Sequence, residues 1–411
     1  MSSTFTARVV TSIAATDAAA WDACANPPGR SFEEAEGERF NPFITHAFLN
    51  ALEASGSVGG RSGWAPAHLT VEDAGGRMVA AAPCYLKSHS QGEYVFDHAW
   101  ADAYERAGGS YYPKLQVAVP FTPVTGRRLL VAADAPEGAR EALIGALREL
   151  RKQTKTSSIH LTFPTVEDSE RLSSAGFLIR TGEQFHFSCN GFANFDDFLG
   201  ALASRKRKAI KRERRDALDN GIAIDWLTGS LIRSEHWDAF FKFYMHTGSR
   251  KWGRPYLTRA FFDWIGSTLA DRVLLVMARR AGRYIAGAIN FIGDDALYGR
   301  NWGAIEHHPF LHFEVCYYQA IDFALSRGLR RIEAGAQGEH KLARGYRPTL
   351  TYSAHEFADA RLARAISDYL GHERVAVERT IAHYDGYAPF RRGDGGAQGA
   401  EEMGEAFDAE V

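Results

Sequence analysis

Two stretches of this chain repeat one pattern, and the repeat limits the possible folds more than any other feature. Leu69 to Pro83 (LTVEDAGGRMVAAAP) and Leu275 to Ile289 (LVMARRAGRYIAGAI) each run from apolar residues through a turn into Gly-Arg and then small and β-branched residues. Both read as β-hairpins, since apolar runs on either side of a glycine turn suit paired strands. Downstream each has a helical stretch, Glu141 to Lys152 and Phe313 to Arg327, and then a short strand, Ile159 to Phe163 and Arg331 to Ala334. Hairpin, helix and strand in that order, twice, predict an α/β (α+β) chain of two similar units joined near Asn190. The expected division is 1–190, 191–388 and an acidic, disordered tail over 389–411.

Composition agrees with a folded chain, because 45% hydrophobic and 24% charged residues over 411 positions can bury two cores. No run of 18 apolar residues occurs and no signal segment is readable at Met1 to Trp21, so no membrane span and a cytoplasmic location are expected. Cys24, Cys84, Cys189 and Cys316 are far apart and predict neither disulfides nor a thiolate zinc site. A net charge of -2 gives no bulk attraction to a polyanion, so such a partner needs a local patch.

That patch is Arg205 to Asp216 (RKRKAIKRERRD). Asn194 is a plausible N-cap, the stripe Phe198, Leu199, Leu202, Ala209 and Ile210 has helical spacing, and Gly221 stops the run, which predicts one helix with acids first and bases last. It reads either as a solvated helix or as a phosphate-binding one, with Arg205, Lys208, Lys211 and Arg212 as the contacts.

Polar, aromatic and glycine residues are densest from Tyr298 to Pro348. The loop Gly335 to Tyr346 follows a predicted strand and carries Lys341 and Arg344, although it has neither P-loop nor G-x-G-x-x-G spacing. Glu333 and His340 are candidate bases or plain polar groups. Glu314 and Tyr318 at i, i+4 could meet on one helix face. His308 and His312 are separated by Pro309, which argues against a shared metal-binding face, so no metal is expected. Trp252, Tyr256 and Trp302 could stack bases or pack a core.

The strings Asn41-Pro42-Phe43, GEYVFD (Gly92 to Asp97), YYPKLQVAVPFTPVTGRRLL (Tyr111 to Leu130), SRKRKAIKRERR (Ser204 to Arg215), LYGRNWG (Leu297 to Gly303), LHFEVCYYQAI (Leu311 to Ile321) and EAGAQGEHKLARGYRP (Glu333 to Pro348) resemble the bacterial FemAB-like family of N-acyltransferases, over roughly residues 40 to 385. More distantly the chain is similar to Fem-type aminoacyltransferases, built from two GNAT-like domains. Their Phe-Lys loop resembles the segment at Lys341, where His340 replaces the phenylalanine. The resemblance implies two tandem GNAT-like domains, each a mixed sheet flanked by helices, and transfer of an acyl or aminoacyl group to an amine on a small molecule, a peptide or a peptidoglycan precursor. The donor would be aminoacyl-tRNA or acyl-CoA as co-substrate, with no tightly bound cofactor. Lys341, Glu333 and His340 would be catalytic, and Arg344, Tyr346, Tyr298, Trp302, Glu314 and Tyr318 would bind substrate. The rival reading is a non-catalytic RNA- or tRNA-binding protein on the same fold.

Overall fold

The computed structural model describes residues 4–27, 39–251, 255–335, 338–387 and 389–391. Trp252, Ala336, Gln337 and the expected tail beyond Arg391 lie outside the described residues. The chain forms two compact units, and each is discontinuous. The first takes residues up to Gly182, then Tyr256–Leu269 and Thr351–Val375; the second takes Glu183–Pro255, Ala270–Leu350 and the chain from Ala376 onward. The boundary expected near Asn190 thus falls at Gly182, and two later segments return to the first unit. Their return depends on tertiary packing of apolar faces, which no linker composition announces.

In the first unit β1 (Thr6–Val10), β3 (His68–Glu72), β4 (Met78–Ala82) and β7 (Leu130–Val131) form one antiparallel sheet. A second ladder runs β2 (Trp64–Pro66), β5 (Cys84–Lys87), β6 (Lys114–Val117), β8 (Ser158–Thr162) and the end of β15 (Arg347–Phe357), antiparallel except for the parallel β6–β8 pair. The helix Ala139–Thr154 makes that parallel crossover and buries Leu143, Ile144, Leu147 and Leu150 against the strands, each worth roughly 1.5–3 kcal/mol.

The second unit repeats the plan. β10 (Ile222–Leu227), β11 (Val273–Arg280), β12 (Arg283–Ile292) and β13 (Ala296–Ala304) are antiparallel. β14 (Arg331–Glu333) is parallel to β13 and antiparallel to the end of β9 (Leu178–Ser188). A helical run from Leu311 to Ser326 makes the crossover. Both expected hairpins are present, β3–β4 and β11–β12. The second turns on Ala281 and Gly282, both at positive φ (49° and 75°), the two-residue turn whose twist matches paired strands.

Among the described residues no helix is long and apolar enough to cross a membrane, and no disulfide joins the cysteines.

Candidate functional site

The expected single basic helix is two. Asn194 does cap a helix, accepting from Asp197 N, but that helix spans only Phe195–Ala201. Leu202 is extended and bridges Phe390, and a second helix runs Ser204–Ala217. The break changes the electrostatics, because the acids Asp196 and Asp197 belong to the first helix while Arg205, Lys206 and Arg207 open the second. Bases at a helix N-terminus oppose the macrodipole, so dipole matching does not account for them.

One face of the basic helix is fastened to its own unit. Arg214 Nε and Nη2 donate to Glu314 at 3.2 and 3.0 Å, Nη2 also to Asp322 Oδ2 at 2.7 Å, and the guanidinium lies 4.3 Å from the Phe195 ring centroid. Glu213 accepts from Arg344 Nη2 at 3.0 Å and from the Tyr318 hydroxyl. On the other face Arg205, Lys208, Lys211 and Arg212 are exposed, and with Lys206 and Arg207 they have no carboxylate partner among the described residues.

Glu314 to Tyr318 form a π-turn inside the crossover helix. It shifts side-chain partnership from i+4 to i+5, so Glu314 accepts from Gln319 Nε2 at 2.6 Å and does not meet Tyr318 as expected. Glu314 is fully buried. Burial raises its pKa, with Arg214 pulling the other way.

Lys341 and Arg344 lie on a short 3-10 helix, Glu339–Arg344, entered at Gly338 (φ 108°) and left at Gly345 (φ 86°). A Cβ on Gly345 would press on the Phe198 and Phe187 rings, so a close approach as well as the left-handed backbone calls for glycine there. Both cations, expected in a loop, are 3% exposed. The glycine-bounded turn packs its inner face on aromatic residues, which glycine content alone does not reveal. Arg344 lies 3.3 Å from the Phe313 ring centroid and donates to His340 O at 2.8 Å. Lys341 Nζ donates to Ala334 O at 2.6 Å and Gly335 O at 3.1 Å and has no carboxylate partner among the described residues. Burial therefore pushes its pKa down to about 7, opposed by Cys316. His340 Nε2 and the Tyr317 hydroxyl share a hydrogen bond at 2.9 Å.

Glu333 ends β14 opposite Tyr298 on β13 and opposite His186 on β9, and directly opposed residues share a sheet face. Glu333 Oε1 accepts from Arg331 at 3.0 Å, while the buried Oε2 has no hydrogen-bond partner among the described residues and lies 3.9 Å from His186 Nε2. Burial lowers the His186 pKa, Glu333 opposes this, and Arg331 and Lys341 add to it. The β13–β14 ladder stops at Tyr298 and Glu333, although β13 runs on to Ala304. At this point a β-bulge interrupts the β12–β13 pairing, between Ile289 and Asn290. Strands that part at their ends are where αβ sheets take ligands, and bulges favour such places.

Of the remaining candidates, Tyr346 is buried 5.5 Å from the Tyr317 ring, and half-buried Trp302 packs 5.2 Å from the His312 ring. Tyr256 stacks on Phe121 at 4.6 Å in the first unit. His308 pairs with Glu306 at 3.1 Å, outside the helix that holds His312. Sequence reasoning missed Glu213, Arg214, His186 and Gln319. Glu213 carried a signal, as an acid inside a run of bases.

The family model FemAB-like, described as peptidoglycan biosynthesis/recognition, matches residues 12–392. No curated protein sequence matches the chain. Among solved structures it is similar to FemX, at 13% identity and a TM-score of 0.50, covering 79% of this chain and 94% of that one. L-PGS from Bacillus licheniformis is 11% identical with a TM-score of 0.49, covering 87% and 100%. A tandem GNAT protein from the clavulanic acid biosynthesis pathway is 12% identical with a TM-score of 0.45, covering 87% and 99%. The likeness to FemX is one of fold, and each unit of the chain combines paired strands with flanking helices.

Proposed function

The chain belongs to the FemAB-like family of peptidoglycan biosynthesis and recognition proteins, and from that premise we propose that it is an N-acyltransferase moving an acyl or aminoacyl group from an activated donor onto an amine. The acceptor that suits the family is an amine on a peptide or peptidoglycan precursor. One observation carries the reading. A helix with unpartnered cations on its open face is tied by Glu213 and Arg214 to the cluster that holds Arg344, on the same short helix as Lys341. A row of cations along a helix suits the extended phosphate backbone of aminoacyl-tRNA better than the compact phosphates of acyl-CoA.

In the proposed reaction the neutral acceptor amine forms an N–C bond to the donor carbonyl carbon, and the C=O π pair moves to oxygen. Collapse of that oxyanion breaks the ester C–O bond; the leaving oxygen takes a proton from Lys341, the amine gives one to Glu333, and solvent carries that proton from Glu333 back to Lys341. Lys341, with a pKa near neutrality, donates to the oxyanion or the leaving oxygen. Glu333 Oε2, which no described group hydrogen-bonds, receives the proton of the amine. Arg344 is a positioning residue, holding Glu213 and the Tyr318 hydroxyl.

The burial of Lys341 and Arg344 favours the second reading, a tRNA-binding protein without catalysis. The two are separated by incubating the protein with charged tRNA, or with acyl-CoA, and an amine-bearing muropeptide, followed by mass spectrometry for the new amide. Amide formed from charged tRNA is the expected result. Binding of tRNA without any amide from either donor would leave the second reading.

A further inference from the structure

The exposed face of the basic helix has an internal candidate for its partner. Ala203 N donates to Pro389 O at 2.9 Å, Arg391 N donates to Ala201 O at 3.0 Å, and Leu202 bridges Phe390. Arg391 therefore lies beside the N-terminal end of the basic helix, where the macrodipole and Arg205, Lys206 and Arg207 together attract an anion. Beyond Arg392 the chain carries Asp394, Glu401, Glu402, Glu405, Asp408 and Glu410 and no lysine or arginine. Every charged side chain beyond Arg392 is thus acidic, whereas the open face of the helix carries bases.

Length allows the two to meet. From Arg391 to Glu401 is ten residues, a reach of up to about 35 Å, and the 14-residue helix is about 21 Å long. A segment tethered this closely acts at an effective concentration of the order of millimolar, so even a weak contact is populated. Opposite charges on both partners make that contact favourable at low ionic strength.

We propose that residues 401–410 dock on the exposed face of the helix Ser204–Ala217, as a built-in polyanion that an external polyanion has to displace. The inference rests on the charge and exit point of the chain, not on acyl transfer. If the helix does hold tRNA, the docked segment is its competitor, and donor binding becomes a displacement.

Zero-length carbodiimide coupling tests the contact on the full chain, because it joins a carboxylate to a lysine amine only where the two touch. An equal mixture of isotopically light and heavy protein distinguishes links within one chain from links between chains. The expected result at low salt is intramolecular links from residues 401–410 to Lys206, Lys208 or Lys211. These should fall at least about tenfold at about 1 M salt, where the Debye length is about 3 Å, and on addition of heparin. Links that go mainly to other lysines, such as Lys152 or Lys242, links only between light and heavy chains, or links unaffected by salt and heparin would each overturn the proposal. Failure of acyl transfer leaves this readout unchanged, so the two ideas fail separately.

Discussion

Lys114 in the first unit and Lys341 in the second are both closed off from water, at 0% and 3% exposure, yet the pKa values of their amines are pushed in opposite directions. Lys114 Nζ donates to Ser90 Oγ at 2.8 Å, to Glu93 Oε2 at 2.7 Å and to Asp97 Oδ2, and Tyr111 also donates to Asp97. Burial works against its charge, but the two carboxylates win and raise its pKa. Among the described residues Lys341 has two carbonyls as hydrogen-bond partners and no carboxylate, so burial wins and the pKa falls to about 7. Lys87 shows where the balance tips: its nearest carboxylate, Glu93, is 3.8 Å away and already committed to Lys114, and burial takes Lys87 to about 7 as well. Depth alone therefore does not decide what a lysine does. A lysine in contact with carboxylates is a fixed structural charge, and one held by carbonyls is poised to exchange a proton at neutral pH.

The largest effect should come from Lys114→Met, which leaves Glu93 and Asp97 buried without their cation. A loss of about 3–5 kcal/mol in denaturant unfolding is expected, most of the reserve of a marginally stable protein. A loss below about 1 kcal/mol would erase the distinction between the two lysines. Lys341→Met should cost less in stability, about 1–3 kcal/mol for carbonyls left without a donor, while reducing acyl transfer roughly a hundredfold. Unchanged transfer with a large stability loss would make Lys341 structural too.

Raising the pH separates the lysines by sign. The folded pKa of Lys341 is about 7 against 10.5 unfolded, so between these values the unfolded chain holds a proton that the folded chain lacks. Its contribution to stability is present above pH 10.5 and is lost as pH falls toward 7, by up to about 1.4 kcal/mol per pH unit. For Lys114 the folded pKa is the higher one, so its contribution is complete below 10.5 and is lost as pH rises through the folded pKa. Melting between about pH 7 and 10 should show the wild type gaining stability over Lys341→Met as pH rises while its margin over Lys114→Met stays flat and shrinks only above about pH 10.5, and parallel curves for both variants would contradict the assignment. The smallest structural effect is expected on the open face of the basic helix. Replacing Arg205, Lys208 and Arg212 by Ala should change stability by no more than about 0.5 kcal/mol, yet reduce the log-log salt slope of tRNA binding by about 0.7–0.9 per lost contact. An unchanged slope would return this face to ordinary solvated surface.

The two hairpins were legible in the sequence because a Gly-Arg turn between apolar runs is a local signal, and both stand where the repeat put them. The π-turn was not, since one extra residue in a helical turn has no composition of its own and shows only when Glu314 meets Gln319 instead of Tyr318. Glu213 and Arg214 were hidden by their neighbours, because a run of bases reads as one solvated face until packing turns part of it inward. Lys341 and Arg344 looked open for a similar reason: the glycines that permit a tight turn also permit it to pack flat on Phe185 and Phe313.

The discontinuity of both units bears on how the chain is made. The first unit needs Thr351–Val375, so its fold stays incomplete until those residues have left the ribosome. From Gly182 to Val375 is 193 residues, about 10–40 s of synthesis at common elongation rates. During that interval the first unit waits with strand β8 lacking its β15 neighbour, while the residues of the second unit emerge behind it. Vectorial synthesis thus gives neither unit a head start, and chaperone protection of the nascent chain matters more here than for two domains strung end to end.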